Sequence, residues 1–394
     1  MIETAWQGRF TESMMGSLAL PQRMLERGDG CWVWDVDGKR YLDFLAGIAV
    51  NSLGHAHPAL IAAVTRQIGT LAHVSNYFAS QPQLALAEKL CEITGAGDRG
   101  RVYFANSGAE AIEAAVKLAR LNNHGGRRRI LALTNSFHGR TMGSLSLTGK
   151  PALRRDFEPL LPFVEHIDAT IDALERGMDE GVAALVLEPI QGEAGVVDLP
   201  AGFLARARQL TKQYGALLIL DEIQTGIGRT GEWFAYQREG VEPDAVTIAK
   251  GLAGGVPIGA LVTFGETSNL FTPGQHGSTF GGNPLATAAG LAVLTEIEAS
   301  GLIENAARRG AELRQIILSL GSPLVTEVRG QGLLLGVGLA NPVATTIVRH
   351  ALELGLIINA PNDSSIRIAP PLIVGDAEIA EFRTLFAHAL EAAA

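Results

Sequence analysis

Residues 182–187 read Val-Ala-Ala-Leu-Val-Leu, residues 216–220 read Ala-Leu-Leu-Ile-Leu, and a helical pattern from Gly202 to Tyr214 separates them. Both apolar runs are continuous, which is typical of strands buried on both faces of a sheet. Strand-like and helical patterns alternate in this way from about Gly47 to Gly290. The alternation predicts an α/β fold with a mainly parallel sheet covered by helices, whose ligands bind in loops at the strand ends.

The pattern changes from about Leu291 to the end of the chain. Here helical segments at 304–320, 344–354 and 376–393 accompany a strand-like segment at 333–339. The sequence therefore predicts a large ligand-binding domain over residues 47–290. Residues 1–46 and 291–394 are expected to form a smaller α/β domain together.

A lysine closes an apolar run at residues 244–251, Asp-Ala-Val-Thr-Ile-Ala-Lys-Gly. An ordinary lysine is almost wholly protonated at neutral pH, so Lys250 can act as a nucleophile only if burial or a cationic neighbour lowers its pKa. A solvated surface lysine is the alternative interpretation.

Asp221 ends the run at 216–220 and is expected at the mouth of the sheet, although a helix N-cap or a paired structural aspartate fits the same pattern. Glu222 could share either role.

Two loops add a phosphate-binding pattern and an aromatic group. Residues 106–111, Asn-Ser-Gly-Ala-Glu-Ala, lie between a strand-like run and a helical run that ends near Leu121. Such a turn presents unpaired backbone N–H groups and the positive end of a helix dipole, which suits a phosphate, although a serine N-cap would have the same sequence. Residues 136–141, Ser-Phe-His-Gly-Arg-Thr, offer an aromatic ring for stacking and an arginine for a carboxylate.

Together these residues match the requirements of pyridoxal 5'-phosphate. A lysine amine bonds to the cofactor, a carboxylate keeps the pyridine nitrogen protonated, and a helix start holds the phosphate. His138 could equally pack beside the cofactor or act in acid–base chemistry.

Three motifs also resemble the class III, fold-type I, pyridoxal-phosphate-dependent aminotransferases. They lie at residues 221–231, 249–259 and 276–284, and the resemblance covers nearly the whole chain. It implies a seven-stranded type of mainly parallel sheet. Within the family, residues 47–50, 137–141 and 254–260 resemble members that move the δ-amino group of N2-acetylornithine to 2-oxoglutarate, giving N-acetylglutamate 5-semialdehyde and glutamate. Members that act on succinylornithine, ornithine or 4-aminobutyrate share much of the pattern.

The resemblance implies a role for each matching residue. The catalytic pair would be Lys250 and Asp221; the cofactor contacts would be Ser107, Gly108, Ala109, Phe137, Asp221, Ile223, Gln224, Lys250 and Thr279; and the substrate contacts would be Arg140, Glu193, Ser278 and Arg367. In this scheme Thr279 reaches the phosphate in the neighbouring subunit of a homodimer, with Ser278 near the neighbour's substrate. Arg140 pairs with the substrate carboxylate remote from the reacting amine, and Arg367 grips the α-carboxylate of glutamate, with Glu193 as its gate. Two positions depart from the family pattern. Ala194 stands where glycine is expected, and Ala109 stands where threonine is commoner.

The composition is that of an ordinary globular protein, with 47% hydrophobic and 19% charged residues. A net charge of -9 predicts no nucleic-acid partner. The sequence shows no signal-peptide pattern and no apolar run of membrane-spanning length, and two cysteines are too few for a disulfide framework or a four-ligand metal site. These features predict a cytoplasmic protein, and the family resemblance implies that it acts on small molecules in arginine biosynthesis.

Several competing interpretations are weaker. The glycines of residues 226–231 have the spacing of a dinucleotide-binding site, but no clear helix start follows them. His55 and His57 lie beside a proline, which indicates a structured turn rather than a metal site. A homologue that binds the cofactor but has lost catalysis is disfavoured, because every proposed catalytic position holds a residue able to perform its role. An aminomutase is disfavoured, because Arg140 and the Glu193/Arg367 pair indicate two alternating substrates.

Overall fold

The computed structural model describes residues 3–393, and the side chains of residues 6–393. Met1, Ile2 and Ala394, the ends of the predicted small domain, lie outside the described residues. The helices are α1 Glu3–Ser13, α2 Ala46–Ala49, α3 Pro58–Ile68, α4 Gln81–Thr94, α5 Gly108–Leu121, α6 Met142–Leu147, α7 Pro151–Arg154, α8 Ile171–Gly177, α9 Phe203–Tyr214, α10 Pro284–Ala299, α11 Leu302–Ser319, α12 Ala344–Leu354 and α13 Asp376–Glu391.

The strands follow the same chain order. They are β1 Leu25–Asp29, β2 Trp32–Asp35, β3 Arg40–Asp43, β4 Arg101–Ala105, β5 Arg129–Leu133, β6 Val164–Ile167, β7 Val182–Leu187, β8 Ile190–Gln191, β9 Val197–Asp198, β10 Leu217–Asp221, β11 Ala245–Ile248, β12 Gly259–Thr263, β13 Val325–Gln331, β14 Leu334–Leu339, β15 Leu356–Ile357, β16 Asn359–Asn362 and β17 Ser365–Ile368.

The main sheet has seven strands in the order β4-β12-β11-β10-β7-β5-β6. β12 is antiparallel to both of its neighbours, and the pairs β11–β10, β10–β7, β7–β5 and β5–β6 are parallel. Every residue of β7, β10, β11 and β12 is buried, as expected for strands covered on both faces. The predicted α/β fold with a mainly parallel sheet is therefore confirmed.

The N-terminal segment joins the C-terminal part of the chain. β3 pairs in parallel with β15, which completes a four-stranded sheet of β1, β2, β3 and β15. A second four-stranded sheet has the order β13-β14-β17-β16. These pairings support the proposed small domain of residues 1–46 and 291–394. α10 continues across residue 290, so the proposed boundary with the large domain of residues 47–290 falls inside a helix.

The glycine-rich segment at 226–231 lies between the two parts of the chain. The buried Arg229 side chain donates to the carbonyl oxygen of Leu333 at 3.2 Å and to that of Pro370. Gly231 has a φ of +85°, and a Cβ atom there would lie 2.9 Å from the Cβ of Ala307. The glycine spacing therefore serves close packing, and the next helix in the described part of the chain is the short 3₁₀ helix Ala235–Glu239.

The two histidines at 55 and 57 have structural contacts. His55 Nε2 lies 2.8 Å from Asp43 Oδ2, and His57 Nδ1 accepts from the Ala59 N–H at 3.3 Å at the start of α3. The two rings thus bind different partners at a turn.

No single helix among residues 3–393 has the length and apolar composition needed to cross a membrane. The consecutive helices α10 and α11 reach that length and composition only together, and they are bent by 66° relative to each other.

Candidate active site

The carboxyl ends of three neighbouring parallel strands bring three titratable side chains together. Asp221 ends β10, Lys250 follows β11, and Glu188 follows β7. All three line one cavity of about 380 Å³. Its other lining residues include Ser107, Gly108, Ala109, Phe137, His138, Arg140, Ile223 and Gln224. The cavity therefore lies at the strand ends, where α/β sheets bind ligands.

Lys250 has a backbone conformation that is rare outside glycine. Its φ is +39°, in the left-handed region, directly after the strand β11. Such a conformation costs on the order of 1–3 kcal/mol and persists where the surrounding structure imposes it. Burial lowers the pKa of Lys250, and the positive charge of Arg367 lowers it further, against the opposing effect of Glu193 and Asp221. A larger fraction of the amine is therefore neutral than for an exposed lysine.

Asp221 is a buried carboxylate with three donors around it. Its Oδ2 lies 2.7 Å from His138 Nδ1, and its Oδ1 accepts from Thr247 Oγ1 at 3.2 Å and from the Ile223 N–H at 3.1 Å. Burial by itself would lower the pKa of His138, but the hydrogen bond to Asp221 raises it above its ordinary value. A histidine with a raised pKa carries a proton on Nδ1 that it can donate to the Asp221 carboxylate.

Glu222 does not share the position of Asp221. Its buried carboxylate accepts from Thr225 Oγ1 and from the Tyr236 N–H, the latter at 3.0 Å. Burial raises its pKa to about 7. Glu222 therefore has a structural contact on the other side of the strand end.

The start of α5 has the predicted geometry for an anion. Ser107 is the N-cap residue, and its Oγ accepts from the Glu110 N–H at 3.2 Å. The first N–H groups of the helix, at Gly108 and Ala109, have no partner within the helix and border the cavity. A Cβ atom on Gly108 would lie 2.9 Å from Ile223 Cδ1, so the glycine allows the helix start to approach this side chain. The serine is thus both a cap and a cavity residue.

The loop after β5 places Phe137 and Arg140 in the cavity wall. The guanidinium carbon of Arg140 lies 5.7 Å from the centre of the Phe137 ring. Within residues 6–393 Arg140 forms no ion pair, and its side chain is exposed. An exposed, unpaired guanidinium at a cavity is available to a ligand carboxylate.

Glu188 is a cavity residue that the motifs did not single out. Its Oε2 accepts from the Phe137 N–H at 3.0 Å and its Oε1 from the Gly192 N–H at 3.4 Å. Burial raises its pKa to about 7. The available signal was its position directly after the apolar run of β7, the same pattern that identified Asp221.

Arg367 and Glu193 form an ion pair across 174 residues of sequence. The Arg367 side chain is 1% exposed and lies in β17, where its Nε donates to Asn359 Oδ1 at 3.1 Å. Its Nη1 donates both to Glu193 and to Gln224 Oε1, the latter at 3.0 Å. Since Gln224 lines the cavity, the ion pair adjoins the space beside Lys250.

Ser278 and Thr279 lie outside the cavity of their own chain. They line a separate surface pocket with residues 75–77 and Gly277. Ser278 Oγ accepts from Asn106 Nδ2 at 3.2 Å, and Asn106 borders the cavity. The structure therefore brings together all the predicted site residues except these two and the Glu193–Arg367 pair, which lies next to the cavity.

Comparison with known proteins shows the family of this chain. Residues 16–390 match the profile described as aminotransferase class-III. The chain belongs to this family of enzymes.

Several similar proteins share a more particular name, and one similar structure carries a related name. Acetylornithine aminotransferase of Mycobacterium bovis is 52% identical over 375 residues, which cover 95% of this chain and 93% of the relative. Acetylornithine aminotransferase of Bifidobacterium longum is 50% identical and covers 94% and 92%. Ornithine aminotransferase of Toxoplasma gondii ME49 superimposes with a TM-score of 0.94 at 34% identity, covering 99% of this chain and 95% of that one. The N-acetylornithine aminotransferase of Stenotrophomonas maltophilia K279a has a TM-score of 0.85 at 36% identity, covering 98% of each chain.

Proposed function

We propose that the enzyme is an acetylornithine aminotransferase. It would transfer the δ-amino group of N2-acetylornithine to 2-oxoglutarate, giving N-acetylglutamate 5-semialdehyde and glutamate in arginine biosynthesis. Relatives with this name are about half identical to the chain over nearly its whole length. The observation that carries the proposal is the Arg367–Glu193 pair beside Lys250, because it suits an enzyme that alternates between a substrate with a carboxylate next to its amine and one without.

The cavity residues fit pyridoxal 5'-phosphate. Lys250 Nζ would hold the cofactor covalently, and the free N–H groups at the start of α5 would hold its phosphate. Phe137 would stack on the ring, and Ile223 and Gln224 would also contact the cofactor. Gly108 leaves no room for a side chain against Ile223, which keeps the helix start close to the cavity. When bound, the cofactor supplies an aldehyde that accepts the amino group and a ring that withdraws electrons.

Lys250 would also move the proton in the reaction. In its free form, the Lys250 amine would take the proton from the substrate carbon that bears the nitrogen. Its lowered pKa leaves the amine able to act as a base. Its strained φ of +39° fixes where Nζ enters the cavity.

Asp221 would keep the pyridine nitrogen protonated. A buried carboxylate is a strong partner for a cationic N–H, and the contact of His138 Nδ1 with Asp221 Oδ2 at 2.7 Å fixes the position of the carboxylate. His138 would thus act through Asp221, which extends its role beyond packing.

The two arginines would bind the carboxylates of glutamate. Arg140, exposed and unpaired in the described part of the chain, would bind the distal carboxylate. Arg367 would bind the α-carboxylate after displacing Glu193. Acetylornithine reacts through an amine with no adjacent carboxylate, and Glu193 then neutralises Arg367.

The functional unit would be a homodimer with shared sites. Thr279 lies outside the cavity of its own chain, in a pocket beside Tyr77. Tyr77, Phe78 and Phe280 around it are 92%, 68% and 61% exposed. A second copy that covers this apolar surface would place Thr279 at its phosphate and Ser278 near its substrate. The dimer would act in the cytoplasm.

One alternative substrate has structural support. The superposition with the ornithine aminotransferase of Toxoplasma gondii ME49, at a TM-score of 0.94, favours ornithine as the second candidate. Succinylornithine and 4-aminobutyrate present the same terminal amine.

Steady-state kcat/KM values for these four amines with 2-oxoglutarate test the proposal. We expect acetylornithine to have the highest value and glutamate alone to bleach the yellow holoenzyme with release of 2-oxoglutarate. A higher value for ornithine or 4-aminobutyrate would reassign the substrate. A holoenzyme that binds the cofactor but is not bleached by any amine would be a non-catalytic homologue.

A further inference from the structure

The loop that carries Glu193 is held by its backbone. Three consecutive carbonyl oxygens accept hydrogen bonds from side chains outside the loop. The pairs are Lys150 Nζ with Glu193 O at 2.6 Å, Asn362 Nδ2 with Ala194 O at 2.9 Å, and Arg329 Nη2 with Gly195 O at 2.9 Å. The preceding N–H, that of Gly192, donates to Glu188. A backbone held at four successive residues favours rotation of the Glu193 side chain over movement of the loop.

In the ion pair, Glu193 is the partner that can leave. Arg367 is 1% exposed and is fixed by Asn359 and Gln224, whereas the Glu193 side chain is 24% exposed. When the Glu193 carboxylate leaves Arg367, its negative charge loses its cationic partner in a partly buried place. A carboxylate left without a cation there would be strongly unfavourable, so the displaced state needs a second cationic group.

Lys150 is placed to be that group. Its ammonium has three donors, and the bond to the Glu193 carbonyl uses one. Within residues 6–393 Lys150 forms no ion pair. Burial alone would raise the pKa of Glu193, but the charges of Arg367, Lys250 and Lys150 together lower it, so the carboxylate experiences the Lys150 charge even in the paired state. Lys250 is committed to the cofactor under the proposed function.

We propose that Lys150 is the second binding position of the Glu193 carboxylate, which pairs with Arg367 while acetylornithine reacts and with Lys150 while glutamate reacts. The inference rests on the proposed function. The exchange moves one carboxylate between two cations, with the loop backbone held in place, and it leaves Arg367 free for the α-carboxylate of glutamate.

Single-turnover rates with glutamate and with acetylornithine, each at subsaturating concentration, test Lys150→Met. We expect the glutamate rate to fall about tenfold, the size of one lost charge-assisted hydrogen bond, and the acetylornithine rate to change less than about twofold. Lys150→Arg should restore the glutamate rate. In the Glu193→Gln background, where the side chain at position 193 carries no charge, Lys150→Met should change the glutamate rate less than about twofold. Lys212→Met, on the exposed side of α9, is the matched control for loss of a lysine.

Equal losses in both half-reactions, or the same tenfold loss in the Glu193→Gln background, would mean that Lys150 only anchors the loop and would overturn the inference. Failure of the proposed function gives a different result, since the unmodified enzyme would then not react with acetylornithine or glutamate in the first place.

Discussion

His138 Nδ1 lies 2.7 Å from Asp221 Oδ2, and both side chains are buried at the end of β10. Through this contact the Asp221 carboxylate and the His138 ring form a fixed pair in the cavity wall. Asp221→Ala should reduce turnover on the order of 10²-fold or more, as for loss of one preorganised electrostatic group, while the covalent attachment at Lys250 still forms. Turnover close to that of the unmodified enzyme would show that another group protonates the ring. His138→Phe should lower turnover less, because Asp221 itself remains.

Lys250→Ala should abolish transaminase turnover and leave the cofactor bound only through non-covalent contacts. Among the described side chains of residues 6–393, Lys250 is the one lysine that lines the cavity, so we expect no second amine to replace it. Borohydride reduction of the unmodified holoenzyme, followed by peptide mapping, should find the cofactor on Lys250. A label on a different lysine would refute the assignment of the whole site.

Individual strands and helices could be predicted largely from the sequence. The run at 182–187 is β7 as predicted, and the helix at 344–354 ends at Gly355, whose φ of +96° allows the C-cap. Continuous apolar runs and helix-ending glycines are local signals, which explains this agreement. The reversed strand β12 was not anticipated, because a fully buried run has the same pattern in either direction.

The site was predictable only in part. Lys250 and Asp221 were recognisable because each ends an apolar run, and Glu188 shows the same signal. No local pattern indicates that Lys150 Nζ reaches the Glu193 carbonyl or that His138 contacts Asp221, because both contacts join distant segments through the tertiary fold. The resemblance to the family supplied the pairing of Glu193 with Arg367.

Glu222 should destabilise the fold as the pH rises. Burial raises its pKa from 4.5 to about 7, so the stability present below pH 4.5 is lost as the pH rises through 7. The loss is on the order of 3 kcal/mol for a shift of this size. Urea unfolding between pH 5 and pH 8 should show this decline in the unmodified protein, and Glu222→Gln should make it less steep with little change in activity, since the contribution of Glu188 remains. Parallel pH profiles for the two proteins would contradict a buried, late-ionising Glu222.

Mixing two variants, each expected to be inactive at limiting pyridoxal phosphate, tests whether the active sites are shared. Lys250→Ala removes the amine from its own cavity, and Thr279→Ala should weaken phosphate binding in the neighbour's cavity. A hybrid dimer would contain one intact site, so random exchange should restore roughly a quarter of the unmodified activity. Activity should be measured after co-refolding at limiting pyridoxal phosphate. No recovery in a demonstrated hybrid would contradict the role of Thr279 across the interface.

The most direct test of two substrates alternating at one cavity is a pair of single-turnover measurements on Arg367→Ala, one with glutamate and one with acetylornithine. Arg367 would bind only the α-carboxylate of glutamate, so we predict that the glutamate rate falls at least tenfold more than the acetylornithine rate. Arg140→Ala, the comparison variant, should slow both half-reactions. Equal losses for the two amines in Arg367→Ala would contradict the account.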